Sequence, residues 1–457
     1  MTKLRVLLAM AACVLLVATA APAQFFARDP GVRGGPAGSG DMLAGLTATQ
    51  QDFFTAGKDD FEEVDGVGEG LGPRFNLDNC AGCHSQPAVG GTSPDVNPQV
   101  SVATAFGARN VVPSFIRLNG PVREARFKLK PDGTPDGGVH ALFVISGRND
   151  GTGDAGGCTA RQEDFETQVA RGNVIFRIPT PTFGAGLIEM IPDSAIVANL
   201  ASNYSVKAGL GIYGRPHRIL PTGDPNRNGN DGTIARFGWK AQNKSLLLFS
   251  GEAYNVEMGI TNELFQTERD ENPTCQFATV PNNVTDTDAA SAVDAASAIE
   301  KFAFFMRFLA PPMPSPDTPG GAASIGRGRL LFTQVGCALC HTPQLRTGDT
   351  TVAALRNQPV NLFSDLALHN MGPGLADDVS QGAAAGDEFR TAPLWGLGKR
   401  IFFLHDGRTS DLRQALVAHK SLGNTKYRGS EANGVVDRFN ALNGGQTQDL
   451  LNFLRSL

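Results

Sequence analysis

Apolar residues recur every three or four positions in several segments, which is the spacing of an amphipathic helix. The predicted helices cover residues 49–64 and 293–309. A last helix carries Leu450, Leu454 and Leu457 on one face. The pattern therefore predicts that the two ends of the chain are largely helical.

Glycine and proline separate these apolar segments. They number 54 and 28 of the 457 residues, a larger share than the about 12% of an average protein. The segment from about 85 to 238 is especially rich in them, and its short apolar runs at 142–146 and 174–178 are typical of strands. We therefore predict a mainly α fold with much loop, in which 85–238 is an irregular insertion with short β-strands.

A proline-rich run at 311–316 ends the 293–309 helix and is typical of a stiff linker. It predicts a boundary between two domains. We expect an N-terminal domain at 24–310, a linker at 311–322 and a C-terminal domain at 323–457.

The first residues have the composition of a secretory signal peptide. Lys3 and Arg5 precede an apolar run at 7–20, and small residues at 21–23 form a cleavage site. No later run reaches the about 18 apolar residues of a membrane span. We therefore expect a periplasmic or secreted protein whose residues 1–23 are removed, with an uncleaved anchor as the alternative.

The charge of the chain limits its partners. The formal net charge is −5, and removal of Lys3 and Arg5 takes away two positive charges, which leaves −7. A mildly acidic protein has no general attraction for nucleic acid or anionic membranes. No phosphate-binding loop precedes a predicted helix, so nucleotide chemistry has no support.

Four cysteines form two identical motifs. One is Cys80-Ala-Gly-Cys83-His84 and the other is Cys337-Ala-Leu-Cys340-His341. This spacing places two thiols on one turn, where they can bond to the two vinyl groups of one porphyrin, and the next imidazole can bind the iron. A shared zinc site is disfavoured because the two pairs lie far apart in the chain. The motifs predict two covalently bound haem c groups, with His84 and His341 as the proximal ligands.

Two further cysteines, Cys158 and Cys275, remain once Cys13 of the signal peptide is set aside. In an oxidising compartment an even remainder favours a disulfide. Two buried free thiols are the alternative.

The sixth ligand of the second haem is sought among the few other histidines. On a helix that starts near Ser410, His419 shares an apolar face with Leu412, Ala415 and Leu416. An imidazole on that face would point into the core, where a bond to iron would satisfy it. We predict that His419 binds the second iron. A histidine without metal is the alternative.

Two other residues compete with His419 for the same iron. They are Met371 and His369, which lie in a glycine-rich segment. A loop that lines the edge of the haem without binding iron is the simpler explanation for both.

One polar segment has the character of a calcium loop. Asp224, Asn226 and Asn228 alternate oxygen-bearing side chains, as at the start of such a loop. The closing glutamate is absent, because Ala235 occupies the twelfth position. The alternatives are a calcium site and a polar turn.

The chain also resembles a known family, the bacterial di-haem oxidoreductases, which are related to the di-haem cytochrome c peroxidases. The matching segments lie in order around the two haem motifs and cover most of the chain. They are 70–76, 109–116, 236–242, 257–261, 309–312, 369–374 and 404–408. The resemblance implies two cytochrome c-like haem domains and a peroxidase-like activity.

Two departures from the peroxidases concern the iron ligands. The peroxidases typically have an axial methionine where this chain has His419, which implies a second haem of lower potential with two histidine ligands. They also have a histidine between 85 and 139 that closes the first iron, and this segment contains none. The resemblance therefore implies an open position at the His84 haem. His140 is the alternative ligand from outside that segment.

The resemblance also suggests two functional side chains. In the related peroxidases a glutamate before a methionine, some twenty residues after a tryptophan, moves the proton during peroxide cleavage. Here Glu257 and Trp239 match, and Trp239 is the expected bridge between the haems. An ion-paired glutamate and a packing tryptophan are the alternatives. The glutamine that the family has between them is not evident, and Phe249 lies near its place.

The family relatives hold calcium between their domains. Asn110 is a positional match for one of the residues involved.

These expectations combine into one hypothesis. A small redox protein, either a cytochrome c or a cupredoxin, gives electrons to the His341 haem. They cross through Trp239 or directly to the His84 haem, where hydrogen peroxide is reduced. The alternatives are oxidation of an organic or protein substrate by high-valent iron, and a non-enzymatic electron carrier.

Overall fold

The computed structural model describes residues 26–146, 158–218, 233–267, 275 and 280–457. The predicted signal peptide lies outside the described residues. The predicted calcium-loop residues Asp224, Asn226 and Asn228 do as well.

Helices of four to fifteen residues make up most of the regular structure. They are α1 (Ala48–Glu62), α2 (Cys80–Cys83), α3 (Gln99–Val102), α4 (Phe165–Ala170), α5 (Ala185–Glu189), α6 (Asp193–Ala201), α7 (Tyr204–Gly209), α8 (Leu246–Met258), α9 (Ala292–Ala295), α10 (Ala298–Phe308), α11 (Ala322–Val335), α12 (Leu412–Ala418), α13 (Asn433–Asn440) and α14 (Gly444–Ser456).

The strands are two to four residues long and pair only in small antiparallel sheets. They are β1 (Arg74–Phe75), β2 (Glu124–Phe127), β3 (Val139–His140), β4 (Phe143–Val144), β5 (Val174–Arg177), β6 (His217–Arg218), β7 (Ile234–Ala235), β8 (Leu345–Arg346), β9 (Pro359–Val360), β10 (Leu368–Asn370) and β11 (Glu388–Arg390). The three-stranded sheet has the order β3-β2-β5, and the pairs are β1–β4, β6–β7, β8–β9 and β10–β11. The fold is therefore mixed, with small sheets between helices, rather than simply α.

The helix predicted at 49–64 is α1. It begins with a capping box between Thr47 and Gln50 and packs against α10. The two backbones approach closely at Gly57, where a Cβ atom would lie 2.1 Å from the carbonyl oxygen of Lys301. Only glycine permits this distance.

The helix predicted at 293–309 is two helices. The chain is extended at Ala296, after α9, and α10 then starts with its own capping box between Ser297 and Glu300. The apolar repeat of the sequence continues across the break, although the described residues of α9 are not buried and those of α10 mostly are. The capping residues, not the repeat, set the boundary.

The predicted terminal helix is α14, which packs against α11, the helix before the second haem motif. Phe332 on α11 and Phe453 on α14 meet with ring centroids 5.4 Å apart. Gly328 allows close contact, because a Cβ atom there would lie 2.0 Å from the carbonyl oxygen of Asp449.

Packing crosses the predicted boundary between the domains in both directions. Asp29, near the start of the described chain, forms a buried ion pair with Arg455 at 2.6 Å. The apolar core around α1 and α10 includes Leu345, Leu362 and Trp395 from the C-terminal part. The two-domain cytochrome c arrangement stays a prediction.

The predicted disulfide is confirmed. Cys158 and Cys275 are bonded, with their Cα atoms 4.7 Å apart. Both are buried beside Val144 and Ala160.

In the part of the chain that the structure describes, every helix is too short or too polar to cross a membrane.

Candidate functional site

Each cysteine–histidine motif lies on the wall of its own cavity. Cys80, Cys83 and His84 line the first, which we name the N-terminal cavity. Cys337, Cys340 and His341 line the second, which we name the C-terminal cavity. The other wall residues of the C-terminal cavity are mostly apolar, and those of the N-terminal cavity are about half apolar and half polar. A porphyrin needs apolar walls, two thiols and one imidazole, so both cavities fit the haem groups that the motifs predict.

The local structure explains how the first motif presents its thiols. Asn79 caps α2 by accepting a hydrogen bond from the backbone N–H of Gly82 at 2.6 Å. The single turn of α2 places Cys80 and Cys83 one above the other. In the second motif a 3-10 turn at Cys337–Leu339 has the same role.

Three imidazoles share one hydrogen-bond pattern. The Nδ1 atoms of His84, His341 and His419 lie 2.9, 3.0 and 2.8 Å from the carbonyl oxygens of Gly91, Phe363 and Ala415. A carbonyl can only accept, so each Nδ1 is the donor and each Nε2 keeps its lone pair for a metal. Burial lowers the pKa of all three, and the neutral form is the one that binds iron.

His419 and His341 line the same cavity. The helix predicted near Ser410 is α12, which begins after the cap Asp411 and ends just before His419. The structure therefore brings together the two histidines that the sequence assigned to the second iron.

His369 and Met371, the other candidate ligands for the second iron, have surroundings that differ from those of His419. Both ring nitrogens of His369 face carboxylates, Nε2 at 3.0 Å from Asp365 and Nδ1 at 2.7 Å from Glu431. Both ring nitrogens of His369 therefore contact carboxylates, unlike those of His84, His341 and His419. Met371 lines the C-terminal cavity.

His140, a candidate iron ligand, and Asn110, a candidate calcium ligand, are both held by contacts with other residues of the chain. His140 stacks on Phe127 with ring centroids 3.7 Å apart, and its Nε2 lies 3.1 Å from Asp136. It is absent from the described lining of the N-terminal cavity. The side chain of Asn110 bonds to the backbone of Ala103 and Val144, so both of its polar atoms are in use without a metal.

A half-buried carboxyl pair lies on the wall of the N-terminal cavity. Glu257 projects from α8, accepts a hydrogen bond from Asn76 at 2.7 Å and is hydrogen-bonded to Glu124 of β2. Burial and the negative charge of Glu124 raise the pKa of Glu257 to about 8. Burial opposes ionisation of Glu124 as well, but Arg126 and Arg177 outweigh it and lower the pKa of Glu124. The pair therefore shares one proton at neutral pH, and Glu257 holds it.

Sequence analysis missed Glu124. The signal was the order Glu124, Ala125, Arg126 within a strand, because alternate residues of a strand face the same side. The side chains of Glu124 and Arg126 are ion-paired on that side.

Trp239 lies between the two cavities. Among the described residues it is the one that lines both. Its Nε1 donates a hydrogen bond to the carbonyl oxygen of Ile178 at 2.9 Å. This position is what a bridge between two haem groups requires.

A network of buried ion pairs holds the backbone next to Trp239. The Nζ atom of Lys240 lies 3.1 Å from Asp377 and donates to the carbonyl oxygens of Ala385 and Glu388 at 2.8 and 2.9 Å. Asp377 also pairs with Arg177 at 2.8 Å. These bonds connect a wall residue of the N-terminal cavity to the β11 region beside the C-terminal cavity.

Two glutamines, Gln99 and Gln242, also line the N-terminal cavity, and Phe249 lines it too. Gln242 is three residues after Trp239, and its side chain folds back over Gly238, where a Cβ atom would lie 2.0 Å from its Oε1.

A third cavity joins the first two, and we name it the connecting cavity. Thr180 and Gly238 line it and the N-terminal cavity. Arg390 and Arg400 line it and the C-terminal cavity, and Trp239 lines all three.

Comparison with known families decides the classification. A family model described as "di-haem oxidoreductase, putative peroxidase" matches residues 133–457. The chain belongs to this di-haem oxidoreductase family. The match includes the second motif, His419, Trp239 and Glu257, and it begins after the first motif. No curated protein matches this di-haem oxidoreductase.

Solved structures resemble it only in part. A MauG-like protein associated with microbial copper homeostasis has 19% identity and a TM-score of 0.26, over 37% of this chain and 55% of that one. The diheme peroxidase BthA from Burkholderia thailandensis has 17% identity and a TM-score of 0.23, over 36% and 51%. Hydrazine synthase from Kuenenia stuttgartiensis has 16% identity and a TM-score of 0.27, over 52% and 69%. The di-haem oxidoreductase thus spans about half the length of the first two.

Proposed function

We propose that this di-haem oxidoreductase is an exported enzyme with two covalently bound haem c groups, and that it reduces hydrogen peroxide in the N-terminal cavity. The observation that carries the proposal is the difference between the cavities. The N-terminal cavity has one histidine and the half-buried pair Glu124 and Glu257, whereas the C-terminal cavity has His341 and His419 together. One cavity is equipped for proton transfer and the other for a fully ligated iron.

Reduction of peroxide to two waters consumes two protons and two electrons. The haem iron, when bound, supplies the site where peroxide binds and exchanges electrons. The carboxyl of Glu257 gives its proton to the departing oxygen, and the carboxylate of Glu124 accepts a proton from the entering peroxide. Asn76 holds Glu257 in place through its 2.7 Å hydrogen bond. General acid–base catalysis of this kind contributes about 10²–10⁴-fold in rate.

Electrons enter at the C-terminal cavity from a small redox protein, a cytochrome c or a cupredoxin. Trp239 supports a path between the two cavities because it lines both of them and its ring is held by Ile178. Export is supported by the predicted signal peptide and by the disulfide between Cys158 and Cys275, since disulfides persist in oxidising compartments.

One observation favours a second function, electron transfer without peroxide chemistry. Met258 and Met306 line the N-terminal cavity, and a thioether is a common sixth ligand in cytochromes. If either sulfur binds the first iron, both irons are closed and the protein is a carrier.

The variant Glu257→Gln tests the proposal, because it keeps the shape of the side chain and removes its proton. We expect peroxide turnover with a reduced cytochrome to fall about 10²-fold or more, while the haem absorption spectrum stays unchanged. The control is Glu62→Gln on the exposed side of α1, which should leave turnover unchanged. Equal turnover in the two variants would refute the role of Glu257.

A further inference from the structure

Two buried arginines meet where the C-terminal cavity joins the connecting cavity. Arg390 ends β11, and Arg400 follows the 3-10 turn at Leu397–Lys399. They are only 8% and 7% exposed, and both line both cavities. Sequence analysis gave neither of them a role.

Neither guanidinium has an acidic partner in the described part of the chain. Arg390 donates to the carbonyl oxygens of Gly238 at 2.9 Å and Thr391 at 3.3 Å. The described residues provide no hydrogen bond or ion pair for the guanidinium of Arg400. Burial lowers the pKa of both to about 10, and repulsion between them lowers that of Arg390 further.

The other deeply buried arginines are different. Each is paired with a carboxylate of the chain. The pairs are Arg126 with Glu124, Arg177 with Asp377, Arg236 with Asp193 and Arg455 with Asp29. A buried charge without a partner costs several kcal/mol. Two adjacent unpaired cations on one cavity wall therefore indicate that an anion belongs beside them.

We propose that Arg390 and Arg400 form a carboxylate-binding subsite that holds the two propionates of the haem in the C-terminal cavity. The guanidinium group matches a carboxylate in charge and in its planar, forked geometry. Two propionates balance two arginines. This inference rests on the proposed haem attachment at Cys337 and Cys340.

The subsite would fix how that haem lies. The connecting cavity is lined by Arg390, Arg400 and Trp239. With its propionates held by Arg390 and Arg400, the haem would have its carboxylate groups on the side of Trp239.

The test is the reduction potential of the second haem in the holoprotein, measured by spectroelectrochemical titration at several pH values. In the wild type the arginines keep the propionates ionised, so the potential should vary little with pH between 5 and 8. Arg400→Gln removes a cation near the iron, so the potential should shift to lower values. The potential should also become pH-dependent, because a propionate can then take up a proton.

Two variants separate charge from structure. Arg400→Lys keeps the cation and should keep the wild-type potential. Arg329→Gln, on the exposed face of α11, should leave the potential unchanged. If Arg400→Gln does not yield holoprotein, Arg390→Gln carries the same prediction. If Arg400→Gln or Arg390→Gln has intact haem bands and retains the potential and the pH profile of the wild type, the proposed subsite is overturned.

A diffusible anion is the other source of a carboxylate, and titration of acetate into the wild type distinguishes it. The proposal predicts no effect of acetate on the potential at constant ionic strength. A shift in the wild type that is lost in Arg400→Gln would show a site for free anions and overturn the propionate assignment. Failure of haem attachment is detected separately, because the pyridine haemochrome spectrum would then lack the c-type band.

Discussion

At the residue scale, the chemistry depends on how Glu124 and Glu257 share one proton. Glu257 is hydrogen-bonded both to Glu124 and to Asn76, whereas Glu124 is ion-paired with Arg126. Two equal side chains therefore differ in protonation because their surroundings differ. One acts as the acid and the other as the base.

A pH profile tests this division. Because the pKa of Glu257 is raised to about 8, its proton is present at neutral pH and is lost as the pH rises through that value. Peroxide turnover should therefore fall above about pH 8. Glu124→Gln should lower turnover because the base is lost. It also removes the negative charge that helps to raise the pKa of Glu257, so the alkaline fall of the remaining turnover should move to lower pH. An alkaline limb at the same pH in both proteins would contradict the coupling.

Trp239 can be tested against the other tryptophan of the chain. Trp239→Phe keeps an aromatic ring but loses the easily oxidised indole and its bond to Ile178. We expect slower electron transfer between the haems in stopped-flow measurements after reduction of the second haem. Trp395→Phe is the matched control, since Trp395 is also buried but lines only the connecting cavity. Equal rates in both variants would remove Trp239 from the path.

At the scale of elements, the contact between α11 and α14 positions the second motif. Gly328 of α11 faces the backbone of Asp449, whereas a Cβ atom at Gly326 of the same helix would meet nothing within 4 Å. Gly328 is therefore needed for the close contact between the two helices, whereas Gly326 is not.

This contrast gives a stability prediction. Gly328→Ala should push α14 away and lower the free energy of unfolding by about 1–3 kcal/mol. Gly326→Ala should raise it by about 0.5–1 kcal/mol, because glycine is a poor helix former and the new methyl group has room. Thermal unfolding of the two variants decides the matter. Destabilisation of equal size in both would show that helix contact is not the cause.

The same elements show how far the sequence can be interpreted. α1 and α14 are long enough for their apolar repeats to be recognised. The break between α9 and α10 was missed because the repeat runs through it and only Ser297 reveals it. Most strands have two residues, too few for alternation to be detected. The small sheets could therefore be recognised only in the structure.

At the scale of the whole molecule, the site is assembled from segments far apart in the chain. The motif cysteines and His419 were predictable, because their chemistry is encoded within a few neighbouring residues. Glu124 and Glu257 come together only when β2 and α8 pack. A role for Arg390 and Arg400 is evident only from the cavities that they line. Local patterns contain no information of that kind.

The central claim is that the two haem irons differ, one bound by two histidines and the other open to peroxide. The most direct test is the electron paramagnetic resonance spectrum of the oxidised holoprotein, before and after addition of peroxide. We predict one low-spin ferric signal from the C-terminal cavity, which His419→Ala converts to high spin, and one high-spin signal from the N-terminal cavity that changes with peroxide. Two low-spin signals that do not respond to peroxide would contradict the account and leave an electron carrier.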